Sequence, residues 1–274
     1  MRHEHVFGQF AGRGGRRVRP PPPVLKAQDL TLTYAGPKGP NIAVDRVSLQ
    51  IAWGERLVLL GQSGCGKSSI LKALAGFLKP VGGTITLHGK PVTGPGPDRI
   101  VVFQEFDQLL PWKTAVQNVE FPLRKARGLG KAEARQRTED ALERVGLTRA
   151  LTSFPHQLSG GMKQRVAIAR APAMKPEVLL MDEPFAALDA LTRERLQADL
   201  LRVAEETRAT LLFVTRSIEE AVLIGTRLHL LSSHPGRTIR TMTTEGAVPG
   251  EPSFAQLSQE VHELLFQGGV TADV

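Results

Sequence analysis

A glycine-rich octapeptide constrains this chain more than any other feature. It consists of Gly61, Gln62, Ser63, Gly64, Cys65, Gly66, Lys67 and Ser68. An apolar run at 57–60 precedes it, and a helical pattern that includes Ser69 begins near Lys67. The glycines let successive backbone N–H groups point inward, and the helix directs its positive end at the same place. The alternatives are a turn that only joins a strand to a helix and a P-loop that cradles phosphates, and the strand–loop–helix context favours the P-loop.

The P-loop interpretation predicts roles for four polar residues. Lys67 can reach β- and γ-phosphate oxygens, and Ser68 can place its hydroxyl on Mg²⁺. A second apolar run at 178–181 ends at Asp182 and Glu183, and acids there are costly unless they face a cation or a reaction. We therefore expect Asp182 to hold Mg²⁺ through water and Glu183 to orient or deprotonate the attacking water. The alternative is an acidic pair that caps a helix or forms salt bridges.

Composition limits the class of protein. The chain has 274 residues, of which 41% are hydrophobic and 23% charged, as in soluble globular proteins. No run approaches 18 apolar residues, so no transmembrane helix is predicted. Residues 1–23 contain no apolar segment typical of a secretory signal, so a cytoplasmic location is expected. The single cysteine, Cys65, excludes internal disulfides and cysteine-based metal clusters.

Residues 1–23 are predicted to form a disordered basic tail rich in Arg, Gly and Pro. The formal net charge of the chain is +8, and five arginines of this segment contribute to it: Arg2, Arg13, Arg16, Arg17 and Arg19. Such a tail could contact nucleic acid or anionic lipid. A solvated extension without a fixed partner is the favoured interpretation, and no nucleic-acid partner is expected.

Two residues at strand ends are further candidates for the nucleotide site. Alternating apolar residues predict a half-buried strand from Leu25 to Tyr34, whose terminal ring could stack on a base or pack within the sheet. The apolar run 100–103 predicts a strand covered on both faces, followed at once by Gln104. Ligands of parallel sheets bind at the carboxyl ends of strands, so Gln104 is a candidate for contact with Mg²⁺ or the attacking water.

A helical block is predicted between this strand and the strand at 178–181. Residues 132–145 place apolar side chains on one stripe and charged side chains on the other. The loop 108–112, with the sequence QLLPW, is apolar where a surface loop is expected. It could contact a partner protein or close the core of the helical block itself.

A second anion site is predicted where the next helix begins. The sequence LSGGMKQR at 158–165 supplies Ser159 as a helix N-cap, while Gly160 and Gly161 allow a ligand close to the free N–H groups. One domain holds one triphosphate, which the P-loop already cradles. The second site therefore most economically serves a nucleotide held by another copy of the chain, so that two chains enclose two ATP molecules.

Together with Ala187, Leu188 and Asp189, these segments make the chain resemble the ATP-binding subunit of an ABC transporter over about residues 24–245. The resemblance implies an α/β fold: a P-loop (RecA-like) nucleoside triphosphate hydrolase core with an antiparallel β subdomain and an inserted helical subdomain at about 105–160. Residues 246–274 would be a C-terminal helical extension. Tyr34 would stack on adenine, Gln104 would be the Q-loop residue, and Asp189 would lie at the seam of a head-to-tail homodimer.

The segment VFQEFDQLLPWKTAVQNVEFPL is similar to the nitrate, sulfonate and taurine importer group. This resemblance implies transmembrane permease subunits as partners and an indirect link to an extracytoplasmic solute-binding protein. The chain would lie peripherally on the cytoplasmic face of the inner membrane. Two other functions stay open: a soluble ABC ATPase that acts on DNA or ribosomes, and an assembly module whose hydrolysis has weakened.

Two residues depart from the family pattern. Arg216 follows the strand 211–214 and Thr215 where the family has His, which contacts the γ-phosphate and helps to hold the catalytic Glu. Arg keeps a donor and adds permanent charge, but it is longer and cannot accept a hydrogen bond. We therefore expect slower hydrolysis with ATP binding and dimerisation retained. Pro172, on the helix after LSGGMKQR, is predicted to end or kink that helix near Arg170.

The position of Cys65 within the phosphate cradle leads to one more prediction. If bound triphosphate covers the sulfur, thiol alkylation should block nucleotide binding, and prior ATP should slow the alkylation. The alternative is that Cys65 is a small residue without a chemical role.

Overall fold

The computed structural model describes residues 22–36, 39–104 and 108–267, which form two β-sheets, seven α-helices and a 3₁₀ helix at Pro155–Gln157. Almost all of the predicted basic tail at 1–23 lies outside the described residues. None of the helices in the described ranges is long and apolar enough to cross a membrane.

The smaller sheet is antiparallel and has the strand order β2-β1-β4-β5. Its strands are β1 (Leu25–Gly36), β2 (Gly39–Ile51), β4 (Gly82–Leu87) and β5 (Lys90–Pro91). The alternation read from the sequence is borne out in β1, where Leu30 and Leu32 are fully buried and Thr31 and Thr33 are less so. This sheet brings the end of β1 beside the P-loop helix.

The larger sheet has the strand order β10-β9-β3-β8-β7-β6 and is parallel except for β10. Its strands are β3 (Arg56–Leu60), β6 (Arg99–Val102), β7 (Val178–Asp182), β8 (Thr210–Thr215), β9 (Arg227–Leu231) and β10 (Thr238–Thr243). Both of its faces are covered: Val58 and Leu60 pack into one apolar core, whereas Leu57 and Leu59 pack into the other. This explains the continuous apolar runs in the sequence.

The seven α-helices of the described chain are α1 (Lys67–Leu74), α2 (Ala115–Lys125), α3 (Lys131–Arg144), α4 (Gly160–Ala173), α5 (Ala190–Thr207), α6 (Ile218–Ile224) and α7 (Pro252–Gln267). The helical block is α2 and α3, which pack on each other and on α4. Side chains cap α2, α4, α5 and α6 at Thr114, Ser159, Asp189 and Ser217. Among the described residues no side chain caps α1, so its first N–H groups are available to a ligand.

The expectation for Pro172 is wrong in that α4 continues past Arg170 to Ala173. Pro172 therefore lies in the last turn, where losing one backbone hydrogen bond has little effect on the rest of the helix. Arg127 stabilises the same end, because its guanidinium donates to the carbonyls of Met174 and Lys175 at 2.8 and 3.0 Å. A cation at a helix C-terminus is favourable in its own right.

A buried histidine gives the fold a predictable sensitivity to acid. His229 on β9 is 2% exposed, and its two ring nitrogens lie 3.0 Å from the hydroxyls of Thr238 and Thr241. Burial lowers the pKa of His229 from 6.5 to about 4. As the pH falls, His229 is protonated in the unfolded chain before it is protonated in the folded chain. The contribution of neutral His229 to the free energy of unfolding is therefore complete above pH 6.5 and is lost as the pH falls toward 4.

We expect the free energy of unfolding to fall by about 3 kcal/mol over this pH range because of His229 alone. Urea titrations of the parent chain and of His229→Gln at intervals from pH 7 to pH 4 give the free energy of unfolding at each pH. The difference between the pH dependences of the two proteins measures the contribution of His229. His156→Gln, at an exposed histidine, is the matched control. Equal pH dependence in the parent and His229→Gln would contradict the assignment.

Candidate functional site

The register of the larger sheet brings the predicted site residues to one edge. Leu60 at the end of β3 pairs with Thr215 at the end of β8, so the P-loop begins beside Arg216. Asp182 pairs with Val214, and the backbone N–H of Glu183 donates to the Val214 carbonyl at 3.0 Å. The carboxyl ends of β3, β8 and β7 therefore meet, as expected of a ligand site in a parallel sheet.

The P-loop backbone needs glycine at two positions. Gly64 and Gly66 have φ angles of 81° and 90°, a region that other residues rarely adopt. A Cβ at Gly66 would also stand 2.5 Å from Cγ2 of Val44. Lys67 Nζ lies 2.8 Å from the carbonyl oxygens of Gly61 and Gln62, which hold the ammonium group inside the loop. Lys67 is only 5% exposed, so its charge acts in a largely desolvated setting.

The residues predicted to hold Mg²⁺ are in contact. Ser68 Oγ donates to Asp182 Oδ1 at 3.0 Å, although the two residues are 114 positions apart in the chain. Asp182 is 4% exposed, and burial raises the pKa of its carboxyl while the Ser68 hydrogen bond opposes that shift. A hydroxyl and a buried carboxylate are hard oxygen donors, and a divalent cation would offset the cost of burying the charge. The two side chains therefore fit a magnesium ion.

Glu183 and Arg216 form an ion pair beside the P-loop. Arg216 Nε lies 3.6 Å from Glu183 Oε2, and the side chains are 65% and 15% exposed. Glu183 has a φ of 42°, an uncommon backbone conformation for a residue with a Cβ. Such conformations recur at functional sites, where the surrounding structure holds them in place.

Cys65 differs from the sequence-based expectation. It is fully buried, and its Sγ lies 3.7 Å from Lys67 Nζ. A Cβ at Gly61 would stand 2.8 Å from that sulfur, so Cys65 fills the space directly beneath the loop. The protein itself covers the thiol, which means that bound triphosphate is not needed to protect it. The structure favours the alternative interpretation of Cys65 as a small packed residue.

The structure places Tyr34 beside the helix that follows the P-loop. Its hydroxyl is 2.8 Å from Ser69 Oγ on α1, and the residue is 44% exposed at the end of β1. An aromatic ring that leaves nearly half its surface to solvent next to a phosphate loop is available for stacking.

We expect Tyr34→Ser to weaken ATP binding about tenfold, because loss of one stacked base costs about 1–3 kcal/mol. Tyr34→Phe keeps the ring and loses only the bond to Ser69, so its ATP affinity should stay within about threefold of the parent. Equilibrium binding of a fluorescent ATP analogue measures both. Equal losses in the two variants would mean that the hydroxyl, and not the ring, matters.

The LSGGMKQR segment opens α4 as predicted. Ser159 accepts a hydrogen bond from the Met162 N–H at 3.3 Å, and Asp189 caps α5 by accepting from Thr192 at 3.0 Å. A Cβ at Gly161 would stand 3.4 Å from Leu188, so the segment and the approach to α5 are neighbours. Among the described residues, no hydrogen bond or ion pair joins residues 159–161 to the P-loop.

Gln104, the other candidate at a strand end, lies two residues beyond β6 and is exposed.

Comparison with known proteins now identifies the family. The family model described as "ABC transporter" matches residues 44–186, which is more than half of the chain and includes the P-loop, LSGGMKQR, Asp182 and Glu183. The chain belongs to the ABC transporter family. The ABC fold and ATP hydrolase class predicted from the sequence are confirmed.

Curated relatives of this ABC protein match it over most of its length. The nitrate import ATP-binding protein NrtD of Synechococcus elongatus is 44% identical over 244 residues, covering 86% of this chain and 89% of NrtD. The taurine import ATP-binding protein TauB of Mesorhizobium japonicum is 43% identical, covering 90% and 98%. The bicarbonate transport ATP-binding protein CmpD of Synechocystis is 39% identical, covering 91% and 92%.

A solved structure agrees with this assignment to the ABC family. The dimeric, post-hydrolysis structure of the ATP-binding cassette MJ0796 bound to ADP and Pi aligns with a TM-score of 0.74. The two chains are 34% identical, and the alignment covers 81% of this chain and 99% of that one.

The sequence did not reveal a polar clamp in which the side chains of Gln108 and Gln164 bond to the backbone of Phe103, the residue before Gln104. The Gln108 side chain bonds to both backbone groups of Phe103, at 3.2 Å to its N–H and 2.8 Å to its carbonyl. Gln164, 1% exposed on α4, donates to the same carbonyl at 3.2 Å, and Arg170 donates to the Gln108 carbonyl at 3.0 Å. The sequence did single out the segments that contain these glutamines, QLLPW for Gln108 and LSGGMKQR for Gln164. Only tertiary packing reveals their contacts.

Proposed function

We propose that this chain is the ATP-binding and ATP-hydrolysing subunit that powers import of a small anion, such as nitrate, a sulfonate or taurine, by an ABC transporter. The observation that carries the proposal is the contact of Ser68 with Asp182 beside Glu183 and the P-loop. The relatives named for nitrate, taurine and bicarbonate support the solute class. We assign residues 24–245 to the cassette, 105–160 to its helical subdomain and 246–274 to an extension.

The proposed mechanism assigns one task to each side chain. Lys67 and the α1 amides bind the β- and γ-phosphates of ATP and stabilise the charge that develops on the transferred phosphoryl group. Ser68 and Asp182 would hold Mg²⁺, with Gln104 as a further candidate ligand, and the ion would supply positive charge to offset that of the phosphates. Glu183 positions the attacking water and accepts its proton, while Arg216 stabilises the Glu183 carboxylate.

The second nucleotide contact comes from a partner copy. In a head-to-tail homodimer, Ser159, Gly160 and Gly161 of one chain would meet the γ-phosphate held by the P-loop of the other, with Asp189 at the seam. The dimeric MJ0796 structure supports a homodimer. Permease subunits would bind the surface around Trp112, which is 69% exposed although Leu109 of the same loop is buried, and place the chain peripherally on the cytoplasmic face of the inner membrane.

Affinity purification from native membranes tests the transport role. We expect an integral membrane permease to co-purify with the tagged chain. Recovery with ribosomes or DNA, and without a membrane protein, would instead favour a soluble ABC ATPase.

The Arg216 ion pair leads to a prediction about rate. An arginine paired with Glu183 holds the carboxylate and leaves it less free to orient the attacking water. We therefore expect Arg216→His to raise the steady-state Mg²⁺-ATP turnover about fivefold, which corresponds to about 1 kcal/mol of ion pairing. Equilibrium ATP binding should not change. An unchanged turnover in Arg216→His would contradict the idea that Arg216 slows hydrolysis.

A further inference from the structure

The contacts of the Arg216 side chain alone do not fix its position beside Glu183. The guanidinium is 65% exposed, and its ion pair with Glu183 spans 3.6 Å. Arginine has four rotatable side-chain bonds, so holding it in one place has a considerable entropic cost. Its distance from Glu183 therefore depends on how firmly the backbone at 215–217 is held.

A buried network holds that backbone. Thr215 is 2% exposed, and its hydroxyl donates to Glu220 Oε2 while accepting from the Ser217 N–H at 3.1 Å. The hydroxyl therefore closes a loop around Arg216, since Thr215 and Ser217 are its two chain neighbours. The Ser217 hydroxyl in turn caps α6 by accepting from the Glu220 N–H at 3.2 Å.

The network extends to a second helix through the other oxygen of the same carboxylate. Gln197 on α5 is 7% exposed, and its Nε2 donates to Glu220 Oε1 at 2.9 Å. The Glu220 carboxylate thus joins α5, the end of β8 and the first turn of α6. Burial raises the pKa of Glu220, while the hydrogen bonds from Thr215 and Gln197 act in the opposite direction.

Both oxygens of Glu220 accept hydrogen bonds from neutral donors, and the charged side chains that act on its pKa are Arg193 and Glu183. Glu183, Arg216, Gln197 and Glu220 line one cleft of about 450 Å³. A carboxylate in this cleft without partners of its own would compete with Glu183 for the guanidinium. The hydrogen bonds to Thr215 and Gln197 leave Arg216 to pair with Glu183.

We propose that Glu220 is a positioning residue for hydrolysis, which acts through Thr215 to hold Arg216 against the catalytic Glu183. This inference rests on the proposed ATPase role of Glu183 and Arg216. It gives Glu220 a function in the reaction that is exerted through Thr215 and Arg216.

The first test is a double-mutant cycle on Mg²⁺-ATP turnover. Glu220→Met removes both acceptors at similar length, and because the ion pair with Arg216 slows hydrolysis, we expect turnover to rise up to about fivefold while ATP affinity stays within about twofold. In the Arg216→Met background the same substitution should change turnover by less than about twofold. Glu220→Gln, which keeps an acceptor for one donor, should lie close to the parent. Glu219→Met, at the exposed neighbouring position, is the matched control.

The second test does not depend on activity. The Arg216 Nε–H resonance, assigned by its loss in Arg216→Lys, reports on the ion pair in the nitrogen-15 spectrum of the full chain. Glu220→Met should move it toward its position in Glu183→Gln, where the pair is broken. Thr215→Val, which keeps the side-chain shape and removes the hydroxyl, should do the same and serves if Glu220→Met does not fold.

The outcomes separate the two proposals. An unmoved resonance in folded Glu220→Met or Thr215→Val, or equal effects of Glu220→Met in both backgrounds, would overturn the positioning role. A parent chain that hydrolyses ATP no faster than Glu183→Gln would overturn the proposed function. The resonance would then still decide whether Glu220 holds Arg216.

Discussion

Replacing Glu183 by Gln is expected to lower steady-state Mg²⁺-ATP turnover by at least about 100-fold, the usual contribution of a positioned general base. Glutamine has the same shape but takes up no proton from water. Because the backbone N–H of Glu183 and the P-loop contacts are unchanged, ATP affinity should stay within about twofold. Coupled-enzyme turnover and equilibrium binding of the ATP analogue measure the two quantities.

The matched control for this substitution is Glu194→Gln, which removes a carboxylate from an exposed position on α5. It should retain the turnover of the parent. A Glu183→Gln protein with turnover within about threefold of the parent would show that Glu183 is not the base.

Loss of the P-loop lysine has the second large expected effect. Lys67→Met keeps the apolar stem and removes an ammonium group that is 5% exposed and lies among loop carbonyls. Truncating one partner of a desolvated charge pair costs about 3 kcal/mol, so ATP affinity should fall about 100-fold. Turnover at saturating ATP should fall as well, because the same charge stabilises the phosphoryl group in the transition state.

Lys79→Met provides the control for charge, since Lys79 is exposed shortly after α1. Its ATP affinity should equal that of the parent. If Lys67→Met and Lys79→Met bind ATP alike, the lysine does not contact the phosphates and the P-loop assignment fails.

The local parts of the site could be predicted from the sequence because short-range geometry determines them. The P-loop needs only its glycines and the following helix, and Asp182 and Glu183 follow directly from the apolar strand before them. The sequence also indicated the ends of β1, β3, β7 and β8 closely, because alternation and apolar runs mark them. The order of these segments along the chain then indicated the family resemblance.

The hydrogen bonds that could not be predicted join segments that are far apart in the chain. The clamp of Gln108 and Gln164 on Phe103, and the network that joins Gln197 to Glu220, appear only when helices from separate parts of the chain pack together. The expectation for Pro172 was wrong because the sequence does not reveal that the helix ends one residue later. The burial of Cys65 could not be predicted because it depends on how the folded loop directs the thiol inward.

A mixing experiment tests the central claim, that each ATP is hydrolysed between the P-loop of one chain and residues 159–161 of another. Lys67→Met removes one half of the site, and Gly161→Asp places a negative charge in the other half while remaining favourable at a helix N-terminus. Each variant alone should have almost no Mg²⁺-ATP turnover. A mixed dimer of the two variants would contain one intact site and one doubly defective site.

We expect an equimolar, re-associated mixture to recover about a quarter of the parent turnover, because half of the dimers are mixed and each has one working site. A mixture of Lys67→Met with Lys67→Met,Gly161→Asp should stay inactive. No recovery in the first mixture, or full turnover by Gly161→Asp alone, would contradict a site shared between two chains.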